Sequence, residues 1–134
     1  MTRDEILSLQ ANRRTDALIF TNVFKKTAFR SDGNYIFTDQ REFLDEGDAY
    51  YLGEDQEIIR LPEFTKDMNA AFDVLNKFGN WSVARAWKIL DKDWTGYSCW
   101  ISGGKNLSES ALAETVPLAI CRAVLLMLYQ SKEE

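Results

Sequence analysis

Residues 81–89 alternate strictly between two kinds of side chain. Trp81, Val83, Arg85, Trp87 and Ile89 fall on one parity, while Ser82, Ala84, Ala86 and Lys88 are small or polar. A strand sends successive side chains to opposite faces, so a period of two predicts a strand with one face on a core. Asp91-Lys92-Asp93-Trp94-Thr95-Gly96 reads as a turn, and Tyr97-Ser98-Cys99-Trp100-Ile101-Ser102 returns as the partner before Gly103-Gly104. A lone hairpin is only marginally stable in water. Helical stripes on both sides of it in the chain supply the cover.

Met68, Ala71, Phe72, Leu75 and Phe78 recur at helical spacing, which predicts a helix opened by Thr65 as N-cap and closed by Gly79 at C′. A last helix is predicted from Thr115 to near Gln130, with Pro117 tolerated in its first turn. Leu118, Cys121, Leu125 and Leu128 share one face of it, and Ile120, Val124 and Met127 widen that face. Thr2 followed by Glu5 is a capping-box pattern, predicting a short helix that ends near Ala11-Asn12. A second helix follows from Thr15 to Phe24.

Between these helices and Pro62, Tyr35-Ile36-Phe37-Thr38 is a strand candidate and residues 39–49 read as an acidic loop. Tyr50-Tyr51-Leu52 and Glu57-Ile58-Ile59-Arg60-Leu61 flank Gly53-Glu54-Asp55-Gln56 as a hairpin. Residues 105–114 read as a polar connection. The expected fold is α+β, an antiparallel sheet layered between helices, in one domain over residues 1–134.

The chain contains no histidine, which removes Ser-His and Cys-His nucleophile systems and histidine metal sites. Cys99 and Cys121 are too few for a four-ligand zinc site and read as small buried thiols. Gly103-Gly104-Lys105-Asn106 lacks the rest of a phosphate-binding loop. Asp91-Lys92-Asp93-Trp94-Thr95-Gly96 begins like a calcium loop, but Ser102 stands where the bidentate Glu belongs. Asp45, Glu46 and Asp48 read as a solvated acidic run. No metal, no cofactor and no enzymatic activity are expected. The net charge of −5 disfavours duplex nucleic acid as partner. No apolar run reaches the roughly 20 residues of a membrane span, and the start lacks a signal-peptide pattern, so a cytoplasmic location is expected.

All four tryptophans lie between residues 81 and 100, beside Arg85 and Tyr97. Guanidinium groups fork onto phosphate and aromatic faces stack on bases, so the combination suits a small anionic nucleotide. Candidate phosphate holders are Arg85, Arg122 and Arg60; candidate stacking partners are Trp87, Trp94, Trp100 and Tyr35. Arg85 is notable for occupying the apolar parity of its strand. Either that face is partly open, or Arg85 is buried against a carboxylate or an anion. Core packing is the preferred reading of Trp81 and Trp87, and a structural ion pair that of each arginine, with the ligand role as the alternative.

Three segments resemble a known family. Met1-Thr2-Arg3-Asp4-Glu5-Ile6-Leu7 with Arg14-Thr15-Asp16-Ala17-Leu18, the helix Thr65-Lys66-Asp67-Met68-Asn69-Ala70-Ala71-Phe72-Asp73-Val74, and Glu114-Thr115-Val116-Pro117-Leu118-Ala119-Ile120-Cys121-Arg122-Ala123 are similar, in order, to the phage ABA sandwich domain. Asn12-Arg13-Arg14-Thr15 departs from that family's Gly-Arg-Glu-like step, and residues 29–61 carry none of the resemblance. It implies a phage or prophage origin, a helix–sheet–helix fold and an accessory role with no catalytic motif, acting in the host cytoplasm. The expected function is anti-defence: binding a cyclic oligonucleotide or cyclic ADP-ribose type signal without cleaving it. The alternative is an inhibitor of a host defence protein, acting through the acidic surface and residues 39–56. Exposed aromatics would also suit a homo-oligomer with a site at its interface.

Overall fold

The computed structural model describes residues 2–30, 49–88, 91–104 and 107–132. Tyr35 to Thr38 and most of the acidic loop lie outside them. Helix α1 spans Arg3–Leu7, and the Thr2 hydroxyl accepts from the Glu5 amide at 3.2 Å, as the capping box requires. It ends at Leu7, short of the expected Ala11-Asn12. Helix α2, Arg13–Val23, opens two residues earlier than expected because the Asn12 side chain caps it, accepting from the Thr15 amide at 2.9 Å.

Strands β1 (Phe29–Arg30), β2 (Ala49–Leu52) and β3 (Ile58–Arg60) form a small antiparallel sheet in that order. The expected hairpin is there, with Tyr50 opposite Arg60 and its loop turning at Gln56, whose φ is 62°. Helix α3 is Met68–Leu75. Strands β4 (Asn80–Lys88), β5 (Asp91–Gly104) and β6 (Leu107–Ala113) form the larger antiparallel sheet, in the order β4-β5-β6. Helix α4, Val116–Lys132, ends the described chain.

Four local expectations are corrected. Thr65 is not the N-cap of α3: its amide and hydroxyl both go to Asp16 Oδ1, at 2.9 and 2.8 Å, and Asp67 caps the helix instead. The helix closes at Leu75 with Asn76 as C-cap, so Gly79 is not its C′ residue. Asp91 to Gly96 is strand and not turn, because Lys88 already pairs with Asp91. Residues 107–113, expected as a polar connection, are the third strand.

That third strand alternates with Leu107, Glu109, Ala111 and Ala113 turned inward and Ser108, Ser110 and Leu112 outward. Its inward row continues through Cys99 and Ile101 of β5, which are fully buried. Helix α4 covers this surface and is buried at every residue from Pro117 to Met127. Helices α1, α2 and α3 pack on α4 as well. The arrangement is α+β with antiparallel sheets and helical layers, as expected.

Arg13 fastens α2 to the small sheet. Buried, it donates to Asp16 at 2.9 Å and to the carbonyls of Leu61 at 2.6 Å and Ala49 at 3.2 Å. Phe20 meets Tyr51 with ring centroids 4.8 Å apart, adding an aromatic seam between the same two elements.

Helix α4 packs over β5 and β6, which leaves β4 as a thinly covered edge. Its Trp81 leans on Phe72 of α3 at 5.6 Å between centroids and stays 37% exposed. The alternation in residues 81–88 therefore marks the correct face, but the helix stops short of it.

Candidate functional site

The open end of the larger sheet is organised around Gly96. Gly96 pairs with Ala86, and a Cβ there would collide with the Ala113 carbonyl oxygen and lie 2.7 Å from the Trp94 indole. Only glycine lets that ring and that backbone approach together. On one side of this crossing lies a cleft of about 410 Å³, lined by Arg85, Ala86, Thr95, Gly96, Tyr97 and Glu114. Arg85 sits directly opposite Tyr97 in the β4–β5 register. Its side chain is exposed and, among the described residues, makes no ion pair or hydrogen bond. Of the two readings of this strand arginine, the open face is the one realised.

A second cleft of about 380 Å³ shares Glu114 with the first and runs beside α1; Arg3, Leu7, Trp94, Leu112 and Arg122 line it. Arg122 is 8% exposed. Its Nε and Nη2 donate to the Leu9 carbonyl at 3.0 and 2.6 Å, and its Nη1 donates to the Leu112 carbonyl at 2.8 Å. Burial lowers its pKa from the ordinary arginine value, with the Glu114 carboxylate opposing. Arg3 is paired with Glu109.

The predicted site residues are thus divided. Arg85, Trp94 and Arg122 come to one end of the sheet, in two clefts that meet at Glu114. Trp94 stands in β5 and not in a turn. Trp100 lines neither cleft: it lies in the row Ser82–Trp100–Ser110, on the face away from α4, and is 41% exposed. Arg60 is on β3, exposed, with Glu63 at 3.5 Å. Trp87 pairs with Thr95 through its backbone, and its side chain lies outside the description. Tyr35 is outside the described residues. The sequence reading did not single out Glu114 or Leu112; the only signal was the position of Glu114 just ahead of the first turn of α4.

Both thiols are buried and free. Burial pushes Cys99 up to about 12, and Cys121 donates its Sγ to the Phe64 carbonyl at 3.3 Å. Among the described residues no group of three or more His, Cys, Asp or Glu is placed to hold a metal ion. No described helix is long and apolar enough to cross a membrane.

Fold and clefts together define a small layered α+β domain with an arginine at each of two adjoining clefts. The family model of the phage ABA sandwich domain matches residues 21–125, and the chain belongs to that family. In fold it is similar to a crystal structure of a phage protein from Bacillus cereus, with a TM-score of 0.55 at 18% identity over 91% of this chain and 92% of the other. No curated protein matches the sequence.

Proposed function

We propose that this phage-family protein counters host defence by binding a small nucleotide signal, of the cyclic oligonucleotide or cyclic ADP-ribose type, and holding it without cleavage. The observation that carries the reading is Arg85: an exposed guanidinium, unpaired among the described residues, across from Tyr97 in a cleft of about 410 Å³. Such a cleft falls in the size range of small-ligand sites. The guanidinium supplies forked donors for a phosphate and the phenol ring a stacking face. The Glu114 carboxylate accepts hydrogen bonds, which suits ribose hydroxyls or an exocyclic amine better than a second phosphate. A sequence without histidine supports holding over turnover.

Calorimetry against cyclic di- and trinucleotides and cyclic ADP-ribose isomers tests it. Saturable heat with one of them, weakened about 100-fold or more in Arg85→Ala, is expected. No heat with any member removes the reading. A second reading rests on the Ser82–Trp100–Ser110 row, whose exposed indole suits a host protein. A stoichiometric partner lost on Trp100→Ala in a lysate pull-down would favour it.

A further inference from the structure

We infer that the cleft between α1 and β6 is a second binding site, built for a small apolar or aromatic monocarboxylate with its head on Arg122. This goes beyond the nucleotide reading and uses different residues. The first observation is the state of Arg122. A guanidinium has five N–H donors. Three are used, by Leu9 and Leu112, which leaves one on Nη1 and one on Nη2 among the described contacts. No described carboxylate stands within ion-pair distance of this side chain, although it is 8% exposed. Carbonyl dipoles take the three used donors and the Glu114 carboxylate acts on the cation only through space, so two donors on adjacent nitrogens remain to match the two oxygens of a carboxylate.

The second observation is the wall. Leu7 and Leu112, 36% and 38% exposed, and the half-buried Trp94 face the same cleft of about 380 Å³. Apolar walls with a few convergent polar groups are the usual make-up of a small-molecule site, and here those groups are Arg122, Glu114, Ser110 and the Glu109-paired Arg3. A phosphate ester would bring more charge than the single remaining pair of donors answers, and Glu114 at the shared boundary opposes a dianion. A monoanion with an apolar body satisfies both parts.

The probes are 3-phenylpropanoate, its neutral amide and inorganic phosphate, titrated against the full chain with tryptophan emission as readout. Saturable quenching by the acid is expected, with the signal lost in Trp94→Phe. Leu112→Glu, at an exposed wall position, should weaken binding about tenfold or more without lowering Tm. Arg85→Ala should leave it unchanged, so this site and the nucleotide cleft fail independently. The inference is overturned if the acid does not saturate, if the amide binds as well as the acid, if phosphate alone competes equally, or if Leu112→Glu has no effect. Loss of binding in Arg85→Ala would also overturn it, by placing the probe in the other cleft.

Discussion

Arg122 donates twice to a single oxygen, the carbonyl of Leu9, from Nε at 3.0 Å and from Nη2 at 2.6 Å. Through that oxygen the last helix holds the segment leaving α1, more than a hundred residues earlier in the chain. The third bond, to Leu112, fixes the free edge of β6 to the same helix. Replacing Arg122 by Met keeps the volume and removes all three donors, leaving two carbonyls without them. The expected loss is about 2–4 kcal/mol in urea denaturation. A change below about 0.5 kcal/mol would show that the clamp is not stabilising.

Asp16 joins Arg13 to Thr65 in the buried region between α2, the small sheet and the entry to α3. Removing the carboxylate strands the Arg13 charge, so Asp16→Ala is expected to cost about 3–5 kcal/mol. Burial holds the Asp16 carboxyl above its ordinary 3.8, with the Thr65 and Arg13 bonds pulling the other way. The folded chain therefore keeps this proton to higher pH than the unfolded chain. Stability from this group rises as pH falls through the folded pKa and is lost as pH rises. Subtracting the stability of Asp16→Asn from that of the natural chain should give a difference that grows as pH falls toward 3.8, the ordinary value for this carboxyl.

Cys99 and Cys121 are shielded thiols, the first raised to about 12 by burial. Thiol reagents should modify neither in the folded chain at about pH 8 and both after unfolding. Because the folded pKa lies above the unfolded one, Cys99 contributes stability that declines as pH climbs past 9, its unperturbed value. Fast labelling of the native protein would contradict the packing of β5 against α4.

Gly96 admits no side chain without displacing Trp94 or the Ala113 carbonyl. Gly96→Ala is expected to cost about 1–3 kcal/mol and to shift the tryptophan emission, since the indole has to move. An unchanged spectrum and unchanged stability would mean that the ring does not sit over this glycine.

Much of the fold was legible because its apolar residues keep period. Arg13–Val23, Met68–Leu75 and Val116–Lys132 are helices close to where spacing placed them, and Tyr50 to Leu61 is the expected hairpin. Strand β6 was not legible: its inward row is Leu107, Glu109, Ala111 and Ala113, too small and too polar to mark a core face. Asp91 to Gly96 has turn composition yet is strand, since pairing with β4 overrides local preference. Thr65 has the residue type of a cap, but a buried carboxylate from another helix claims its donors. For the site, Arg85 on an apolar parity was the readable clue. The meeting of Arg85, Trp94 and Arg122 around Glu114 depends on where α4 stops covering the sheet, which no local pattern encodes.

The most direct trial of the nucleotide reading is mass spectrometry of what the purified chain releases on heating, after expression in phage-challenged cells whose defence signalling is active. The natural chain is expected to release a stoichiometric nucleotide, intact and uncleaved, and Arg85→Glu, folded to the same Tm, to release none. Equal release from both chains, or no nucleotide from the natural one, would contradict it.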